Sequence, residues 1–281
     1  MRSWFITGTS SGLGRAIAEA ALARGDRVAG TVRTAEAATA FAALAPGRAQ
    51  PILLDVADHA AARRAIAEVE MAAGGIDVLM NNAGYSLEGC VEASDALEVH
   101  AQIDTHFLAP ITLIQAALPA MRRRRSGHIL NVGSLAAHTT NAGTAVYAGV
   151  KAAIETLSVG LAQELAPFGI RVTAVIPGAF RTRIGDARRS AAAALDDYAP
   201  ADAARRQRLA AMSGRQRGDP VRGAQAVLAL VDAADPPVRF ALGPDAIDGL
   251  RAHAAALLDA ADRWEALGSA TDLEGSAPGE G

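Results

Sequence analysis

A tyrosine and a lysine four residues apart are the side chains best suited to chemistry in this chain. Lys151 is the only lysine among 281 residues, and Tyr147 is one of three tyrosines. On a helix, residues i and i+4 lie on one face, so the phenol and the ammonium group can point into the same space. A nearby cation favours the phenolate and lowers the pKa of a tyrosine. The pair is a candidate general acid and base; the alternative is a surface helix that carries both by coincidence.

The near absence of lysine from the chain is a second indication that position 151 is functional. Lysine and arginine together number 27, and every one except Lys151 is an arginine. The ammonium group is a compact charge on a flexible stem, and its pKa shifts readily. The guanidinium group is wide and always charged. Because arginine does not replace lysine in a tight site, we expect Lys151 to lie in a confined one.

Composition and charge exclude several classes of protein. A net charge of −3 and a pI near 6.1 argue against a nucleic-acid partner, which usually requires a basic protein. The single cysteine, Cys90, excludes an intramolecular disulfide, and the histidines show no metal-ligand spacing. The N-terminus runs into a glycine-rich loop without the apolar core of a signal peptide, and no apolar run approaches about 18 residues. We therefore expect a cytoplasmic protein without a membrane span.

Short apolar runs alternate with amphipathic, alanine-rich stretches along most of the chain. The strand candidates are 3–7, 27–32, 50–54, 77–81, 128–133, 170–176 and 238–242, and the helix candidates include 13–24, 59–73, 94–121 and 147–166. This order predicts an α/β fold with one doubly wound (Rossmann) parallel sheet of about seven strands and helices on both faces.

The later part of the chain departs from this alternation. Residues 179–218 carry nine arginines and show no strand pattern, so we expect a substrate lid with its own helices. The rest of 1–268 is predicted to form a single dinucleotide-binding domain around that lid. Residues 269–281 are rich in small and polar residues and are predicted to be a disordered tail.

A glycine-rich loop follows the first predicted strand and precedes the first predicted helix. It contains Gly8, Gly12 and Gly14 in the spacing G-x-x-x-G-x-G. Glycines permit a tight turn and a close approach of the backbone to a ligand. The N–H groups at the start of the helix then face a pyrophosphate, which the helix dipole also favours. The loop predicts nucleotide binding; a glycine turn with only a structural role is the alternative.

The end of the second strand indicates which dinucleotide is bound. A carboxylate at this point would hold the ribose 2′-hydroxyl and repel a 2′-phosphate. The chain instead reads Thr31-Val32-Arg33, and a guanidinium group pairs well with a phosphate. We therefore expect NADP(H) to be preferred over NAD(H); the alternative is that Arg33 is simply exposed to solvent.

Taken together, these motifs resemble the short-chain dehydrogenase/reductase family. Their order and spacing agree with it over residues 3–182, whereas the remainder, including the terminal helix with Trp264, is less specific. The motifs are TGTSSGLG at 7–14, LDV at 54–56, NNAG at 81–84, Ser134 thirteen residues before Tyr147, YAGVK at 147–151 and PGAFRT at 177–182.

The resemblance implies an oxidoreductase that transfers a hydride between NADP(H) and a carbonyl/alcohol substrate. In this family Ser134 would hydrogen-bond the substrate oxygen, and Tyr147 would transfer the proton. Lys151 would bind the nicotinamide ribose and lower the pKa of Tyr147. The residues that the resemblance assigns to cofactor binding, with Arg33 added from the argument above, are Gly8, Ser10, Ser11, Gly12, Leu13, Gly14, Arg33, Asp55, Val56, Asn82, Ala83, Gly84, Tyr147, Lys151, Pro177, Gly178 and Thr182.

Two positions depart from the family pattern. Family members usually carry an asparagine in the fourth helix whose carbonyl helps to hold a water near the lysine, and here His106 aligns with it. A neutral imidazole could accept from the same water, so we expect His106 to act in the proton relay and activity to fall at low pH. A buried, hydrogen-bonded histidine without a relay role is the alternative. The second departure is Gly133, where a serine is common, and we expect it to matter little.

The substrate and the assembly are less constrained by the sequence. His138 and Asn141 are candidate pocket residues, and the arginine-rich lid would suit an anionic substrate unless its arginines are merely solvated. The predicted helix over 146–165 has small residues on one face, and the family resemblance implies a homo-dimer or tetramer through it; packing on its own sheet alone is the alternative. There are two alternatives to a reductase: a non-catalytic NADP-sensing regulator, and an epimerase or dehydratase that retains its cofactor.

Overall fold

The computed structural model describes residues 1–182, 188–212 and 214–271 of the chain. Its strands are β1 (Ser3–Ile6), β2 (Arg27–Val32), β3 (Ala49–Leu53), β4 (Val78–Asn81), β5 (Ser86–Glu88), β6 (Gly127–Val132), β7 (Ile170–Pro177), β8 (Arg188–Ser190) and β9 (Arg239–Leu242). Its α-helices are α1 (Gly12–Ala23), α2 (Ala35–Ala42), α3 (His59–Ala73), α4 (Ala96–Ile103), α5 (Ala109–Arg124), α6 (Ala145–Leu165), α7 (Ala199–Met212), α8 (Pro220–Asp232) and α9 (Pro244–Gly268).

Seven of these strands form one parallel sheet in the order β3-β2-β1-β4-β6-β7-β9. All seven predicted strands are therefore confirmed, as is the doubly wound α/β class. The chain starts in the middle of the sheet at β1, builds outward to β3, and then returns to build the other half from β4. In such sheets the ligand crevice lies at the carboxyl ends of the strands, where the winding direction reverses.

Hydrophobic layers cover both faces of the sheet. In β1, Trp4 and Ile6 point into one layer and Phe5 into the other, because successive side chains of a strand alternate between faces. The first layer packs beneath α1 and α8, with Ile17 and Val227 in its centre. The second layer packs beneath α3 and α5. The central strands are buried on both sides, which explains why their sequences read as continuous apolar runs.

Two local features differ from the sequence expectations. The predicted helix over 94–121 is divided into α4 and α5 by a π-helical turn, Asp104–Leu108. The expectation of no strand within the lid, 179–218, is wrong, because β8 pairs in parallel with β5. Each of these strands has three residues, which is too short for a period-two pattern to be detected. Part of the lid, 183–187 and 213, and the tail beyond 271 lie outside the described residues, so the predicted disordered tail is not tested.

The helix that carries Tyr147 and Lys151 is long and apolar. Within the described ranges, Ala145–Phe168 is the single helix long and apolar enough to span a membrane by composition, with a mean hydropathy of 1.3. It packs against β7, and it carries the buried charged residues Lys151 and Glu155. These contacts place one face of the helix against the sheet.

The central strand β6 carries a buried imidazole that makes stability depend on pH. His128 is 1% exposed, and its Nε2 lies 3.1 Å from the hydroxyl of Thr173. Burial, with the positive charges of Arg171 and Arg2, lowers the pKa of His128 to about 3. The unfolded chain therefore takes up this proton near pH 6.5, whereas the folded chain does not until far lower pH.

We predict that the free energy of unfolding falls as the pH drops below about 6.5, by about 1.4 kcal/mol per pH unit from His128 alone. Urea unfolding between pH 7 and pH 4 measures this slope. In His128→Gln the slope should be reduced, whereas in His100→Gln, where an exposed histidine is replaced, it should be unchanged. Equal slopes in the wild type and in His128→Gln would contradict the prediction.

Candidate active site

The glycine loop is fastened to the neighbouring strands by backbone and side-chain hydrogen bonds. The hydroxyl of Thr7 accepts from the N–H groups of Asn82 and Ala83 at 2.8 and 2.9 Å. The Asn82 amide donates to the carbonyls of Thr7 and Gly8 at 2.9 and 3.1 Å. On the other side, the N–H of Gly8 donates to the Thr31 hydroxyl at 2.9 Å. The NNAG run therefore holds the loop against β4, as the family resemblance implies.

The loop forms a cradle in which glycine is required. Gly8 and Gly12 have φ values of 73° and 67°, which side chains rarely adopt. A Cβ at Gly14 would overlap the Asn82 amide and the carbonyl of Gly8. Helix α1 begins at Gly12, and the Ser11 side chain makes no capping bond to its N–H groups. These donors are suited to a pyrophosphate, so the residues present fit a dinucleotide.

The other predicted cofactor residues lie at the same edge of the sheet. Arg33 is exposed directly after β2, and Asp55 and Val56 follow the adjacent strand β3, with Val56 buried. The segment that begins with Pro177 and Gly178 leaves the carboxyl end of β7. A Cβ at Gly12 would lie 3.6 Å from the Thr182 Cβ, so this segment reaches the glycine loop.

Tyr147 and Lys151 lie on one face of α6, opposite the carboxyl end of β6. Lys151 is 5% exposed, and its Nζ donates to the carbonyl of Val132 at 2.6 Å. Its Nζ lies 5.9 Å from the centre of the Tyr147 ring. The Ser134 side chain lies close enough to the Tyr147 phenol to lower its pKa. The structure therefore brings Ser134, Tyr147 and Lys151 together, as predicted.

Burial sets the proton affinities of this pair. Desolvation raises the pKa of Tyr147, the Ser134 hydrogen bond opposes that rise, and the charge of Glu155 adds to it. Desolvation lowers the pKa of Lys151 to about 8, against the opposing effect of Glu155. Ser134 therefore favours the phenolate, whereas desolvation and the charge of Glu155 favour the protonated phenol. Tyr147 is thus a protonated phenol poised to donate.

His106 lies on the π-helical turn, 4% exposed, with its ring edge-to-face to Tyr147 at 5.8 Å. Burial and the charge of Lys151 hold the pKa of His106 well below its usual range, so the ring is neutral. Its Nε2 lies 2.8 Å from the Tyr85 carbonyl oxygen and 3.1 Å from the Tyr85 backbone nitrogen, so this nitrogen can either donate to the carbonyl or accept from the N–H. Its Nδ1 is buried and has no hydrogen-bond partner among the described residues. A Cβ at Gly84 would overlap the imidazole, so this glycine makes room for it.

A buried carboxylate next to the site was not found from the sequence. Glu155 is 3% exposed, and its Oε1 accepts from the N–H of Ser134 at 3.1 Å. Its Oε2 lies 2.7 Å from the Nε2 of His138. The spacing contained a signal, since Glu155 follows Lys151 by the same four residues that separate Lys151 from Tyr147. Gly133 faces this carboxylate directly, so the departure expected to matter little makes room for Glu155.

Several candidate pocket residues have partners within the chain. His138 is bound to Glu155, and Asn141 is exposed, with its amide donating to the Thr139 carbonyl. In the lid, Arg205 is 6% exposed and pairs with Glu88 of β5. Arg188 pairs with the same carboxylate at 3.0 Å. These two lid arginines therefore bind the lid to β5.

Comparisons with known proteins agree with this arrangement. The family model for short chain dehydrogenase matches residues 3–193. The oxidoreductase BOA17 of Botryotinia fuckeliana is 36% identical over 270 residues, which cover 95% of this chain and 98% of that protein. A short-chain dehydrogenase from Streptomyces avermitilis has a similar structure, with a TM-score of 0.90 and 41% identity over 96% of this chain and 98% of that one.

A more distant structure shares the fold. A serine dehydrogenase complexed with NADP+ superposes with a TM-score of 0.75 at 24% identity, over 86% of this chain and 94% of that one. The family model spans more than half of the chain, and the fungal relative is matched over nearly its whole length. The chain belongs to the short-chain dehydrogenase/reductase family, whose members are oxidoreductases that use a nicotinamide cofactor and act on small molecules.

Proposed function

We propose that this protein is an NADP(H)-dependent reductase or dehydrogenase acting on a carbonyl/alcohol pair, with Tyr147 as the general acid and base. The observation that supports this most is the contact of Ser134 and Tyr147 beside the buried ammonium group of Lys151. Two neighbouring hydroxyl groups next to a buried cation can hold a carbonyl oxygen and stabilise the negative charge that develops on it.

The protein's part in such a reaction is to orient groups and to move one proton. The nicotinamide supplies the hydride when it is bound. Ser134 donates a hydrogen bond to the substrate oxygen, and Tyr147 gives that oxygen its proton as alkoxide charge develops. Burial keeps the phenol protonated until then. Lys151 stabilises the phenolate that remains, and in the reverse direction Tyr147 takes the proton back.

The cofactor preference rests on Arg33. Its exposed guanidinium group follows β2, and no carboxylate precedes it in Thr31-Val32. Proteins of this fold have been solved with NADP+ and with NADH, so the fold alone supports neither. A guanidinium group at this position favours a 2′-phosphate by charge-assisted hydrogen bonds.

We also propose a location and an assembly for the protein. We place the protein in the cytoplasm, as a single domain over 1–268 with the lid at 179–218. We assign it a homo-oligomeric state through α6, where the small residues Ala152 and Gly160 are exposed. Exposed small residues allow two helices to approach closely.

We predict that Tyr147→Phe lowers NADPH consumption on any accepted carbonyl by about a hundredfold or more, because general acid catalysis contributes that much. The measurement is NADPH consumption over a broad carbonyl panel, with NADH in parallel. NADPH binding should survive in the variant. Turnover that is unchanged in Tyr147→Phe would contradict the proposed role. NADPH binding by the wild type without turnover of any carbonyl would instead favour a sensor.

We predict that Arg33→Glu raises the KM for NADPH by about tenfold or more and leaves the KM for NADH nearly unchanged. The carboxylate repels the 2′-phosphate that the guanidinium group attracts. Arg123→Glu is a matched control, since it makes the same change of charge at the exposed end of α5. Equal changes in both KM values, or a KM for NADPH that does not move, would exclude Arg33 as the discriminating residue.

We predict that the acidic limb of the pH–rate profile contains the protonation of His106 and lies below pH 6.5, since burial lowers its pKa. In His106→Asn this limb should move or disappear, because an amide accepts a hydrogen bond without titrating there. His100→Asn serves as the control, since His100 is exposed. Circular dichroism at each pH separates this effect from unfolding. Identical acidic limbs in the wild type and His106→Asn would leave His106 with a packing role only.

A further inference from the structure

The catalytic face of α6 continues one turn beyond Lys151. Tyr147, Lys151 and Glu155 follow one another at intervals of four residues, so their side chains form a single row. Lys151 and Glu155 are 5% and 3% exposed. A buried acidic side chain is uncommon because the cost of desolvating its charge must be offset by partners.

The partners of Glu155 come from the active-site loop. One carboxylate oxygen accepts from the N–H of Ser134 at 3.1 Å, and the other lies 2.7 Å from His138 Nε2. His138 in turn packs edge-to-face on His253 of α9, with ring centres 5.0 Å apart. Among the described residues His138 is the ion-pair partner of Glu155, and Lys151, one turn away on α6, is the neighbouring permanent cation that its charge acts on.

The ammonium group of Lys151 is also buried, so it needs a negative or polar partner. Its ammonium group is buried between α6 and β6, and it donates a hydrogen bond to the neutral carbonyl of Val132. The titratable groups around it are Tyr147 and Glu155 on α6 and His106 on the π-helical turn. His106 is neutral, so Glu155 supplies the negative charge that offsets the burial of the ammonium group.

The backbone next to Ser134 is shaped for the same carboxylate. A side chain at Gly133 would overlap the Glu155 carboxylate and would lie 2.7 Å from its Cγ. Glycine at this position and glutamate at 155 therefore depend on each other. The substitution of Gly133 for the serine common in relatives has a physical reason in this chain.

We propose that Glu155 is a positioning residue for the active site: its carboxylate keeps Lys151 in the ammonium form and fixes the backbone of Ser134. This inference rests on the proposed function for its effect on turnover. Glu155 touches neither substrate nor cofactor in this role. It acts through Lys151, which stabilises the Tyr147 phenolate, and through Ser134, which holds the substrate oxygen.

The single lysine of the chain makes a direct test available. Lysine labelled with 13C at Cε gives one side-chain signal, and its shift reports the protonation of the Lys151 amine as the pH changes. We expect a midpoint near pH 8 in the wild type, since the pKa of Lys151 is about 8. In Glu155→Gln, which still accepts from the Ser134 N–H, the midpoint should fall by about one unit, because the stabilising negative charge is lost. Glu164→Gln, an exposed glutamate on the same helix, is the control and should leave the midpoint unchanged.

The basic limb of the kcat profile should move in the same direction in Glu155→Gln, because Lys151 loses its proton at lower pH. A purely structural glutamate would leave this limb in place, since glutamine keeps the hydrogen bond to Ser134. An unchanged lysine midpoint in folded Glu155→Gln overturns the proposal. The labelled lysine needs no turnover, so a wild type that reduces no carbonyl counts against the proposed function alone.

Gly133→Ala provides a second variant that keeps the glutamate in the chain. The added methyl group should displace the carboxylate and lower the Lys151 midpoint in the same direction as Glu155→Gln. Gly149→Ala is its control, since a Cβ at Gly149 meets no atom within 4 Å. A Lys151 midpoint that is the same in Gly133→Ala and in the wild type would also overturn the proposal.

Discussion

A buried ammonium group at the carboxyl end of β6 is the interaction on which the rest of the site depends. Removing a lysine charge from water is costly unless the protein supplies compensating groups. Here the carbonyl of Val132 and the carboxylate of Glu155 provide them. Burial and the charge of Lys151 keep His106 neutral, and desolvation keeps the Tyr147 phenol protonated. A cation, a protonated phenol and a neutral imidazole can therefore share one small volume.

The fold places Tyr147, Lys151 and His106 beside the glycine loop that fits a dinucleotide. The sheet reverses its winding direction between β1 and β4, so the glycine loop after β1 and the NNAG run after β4 meet at one edge. Hydrogen bonds from Asn82 and Ala83 to Thr7 fix the loop in register with that edge. The next strand along, β6, delivers Ser134, and α6 crosses it with Tyr147 and Lys151. Sheet topology alone thus brings the cradle and the acid–base pair to the same crevice.

The sequence predicts the features that depend on residues close together along the chain. Each buried strand is a continuous apolar run, the glycine loop has a required backbone geometry, and Tyr147 and Lys151 share a helix face by spacing. What it does not predict depends on contacts between distant segments. Strands β5 and β8 are about a hundred residues apart and too short to carry a pattern. The π-helical turn that carries His106 inserts into an otherwise regular helical stretch.

The electrostatic role of Glu155 is also not predicted by the sequence. A glutamate in an amphipathic helix is expected to be exposed, and only the packing of α6 on the Ser134 loop buries it. The sequence likewise assigns the tuning of Tyr147 to Lys151 alone. Desolvation dominates that tuning in the folded protein, and Ser134 opposes it. Desolvation is a property of the assembled core, and no spacing along the chain encodes it.

The turnover number of Lys151→Met, at saturating NADPH and with a carbonyl that the wild type reduces, tests the central claim most directly. Methionine has similar length and suits a buried position, but it carries no charge. The account predicts a variant that remains folded by circular dichroism and loses turnover by about a hundredfold or more. Turnover within a few-fold of the wild type would show that the buried ammonium group is not what makes Tyr147 work, and would contradict the account.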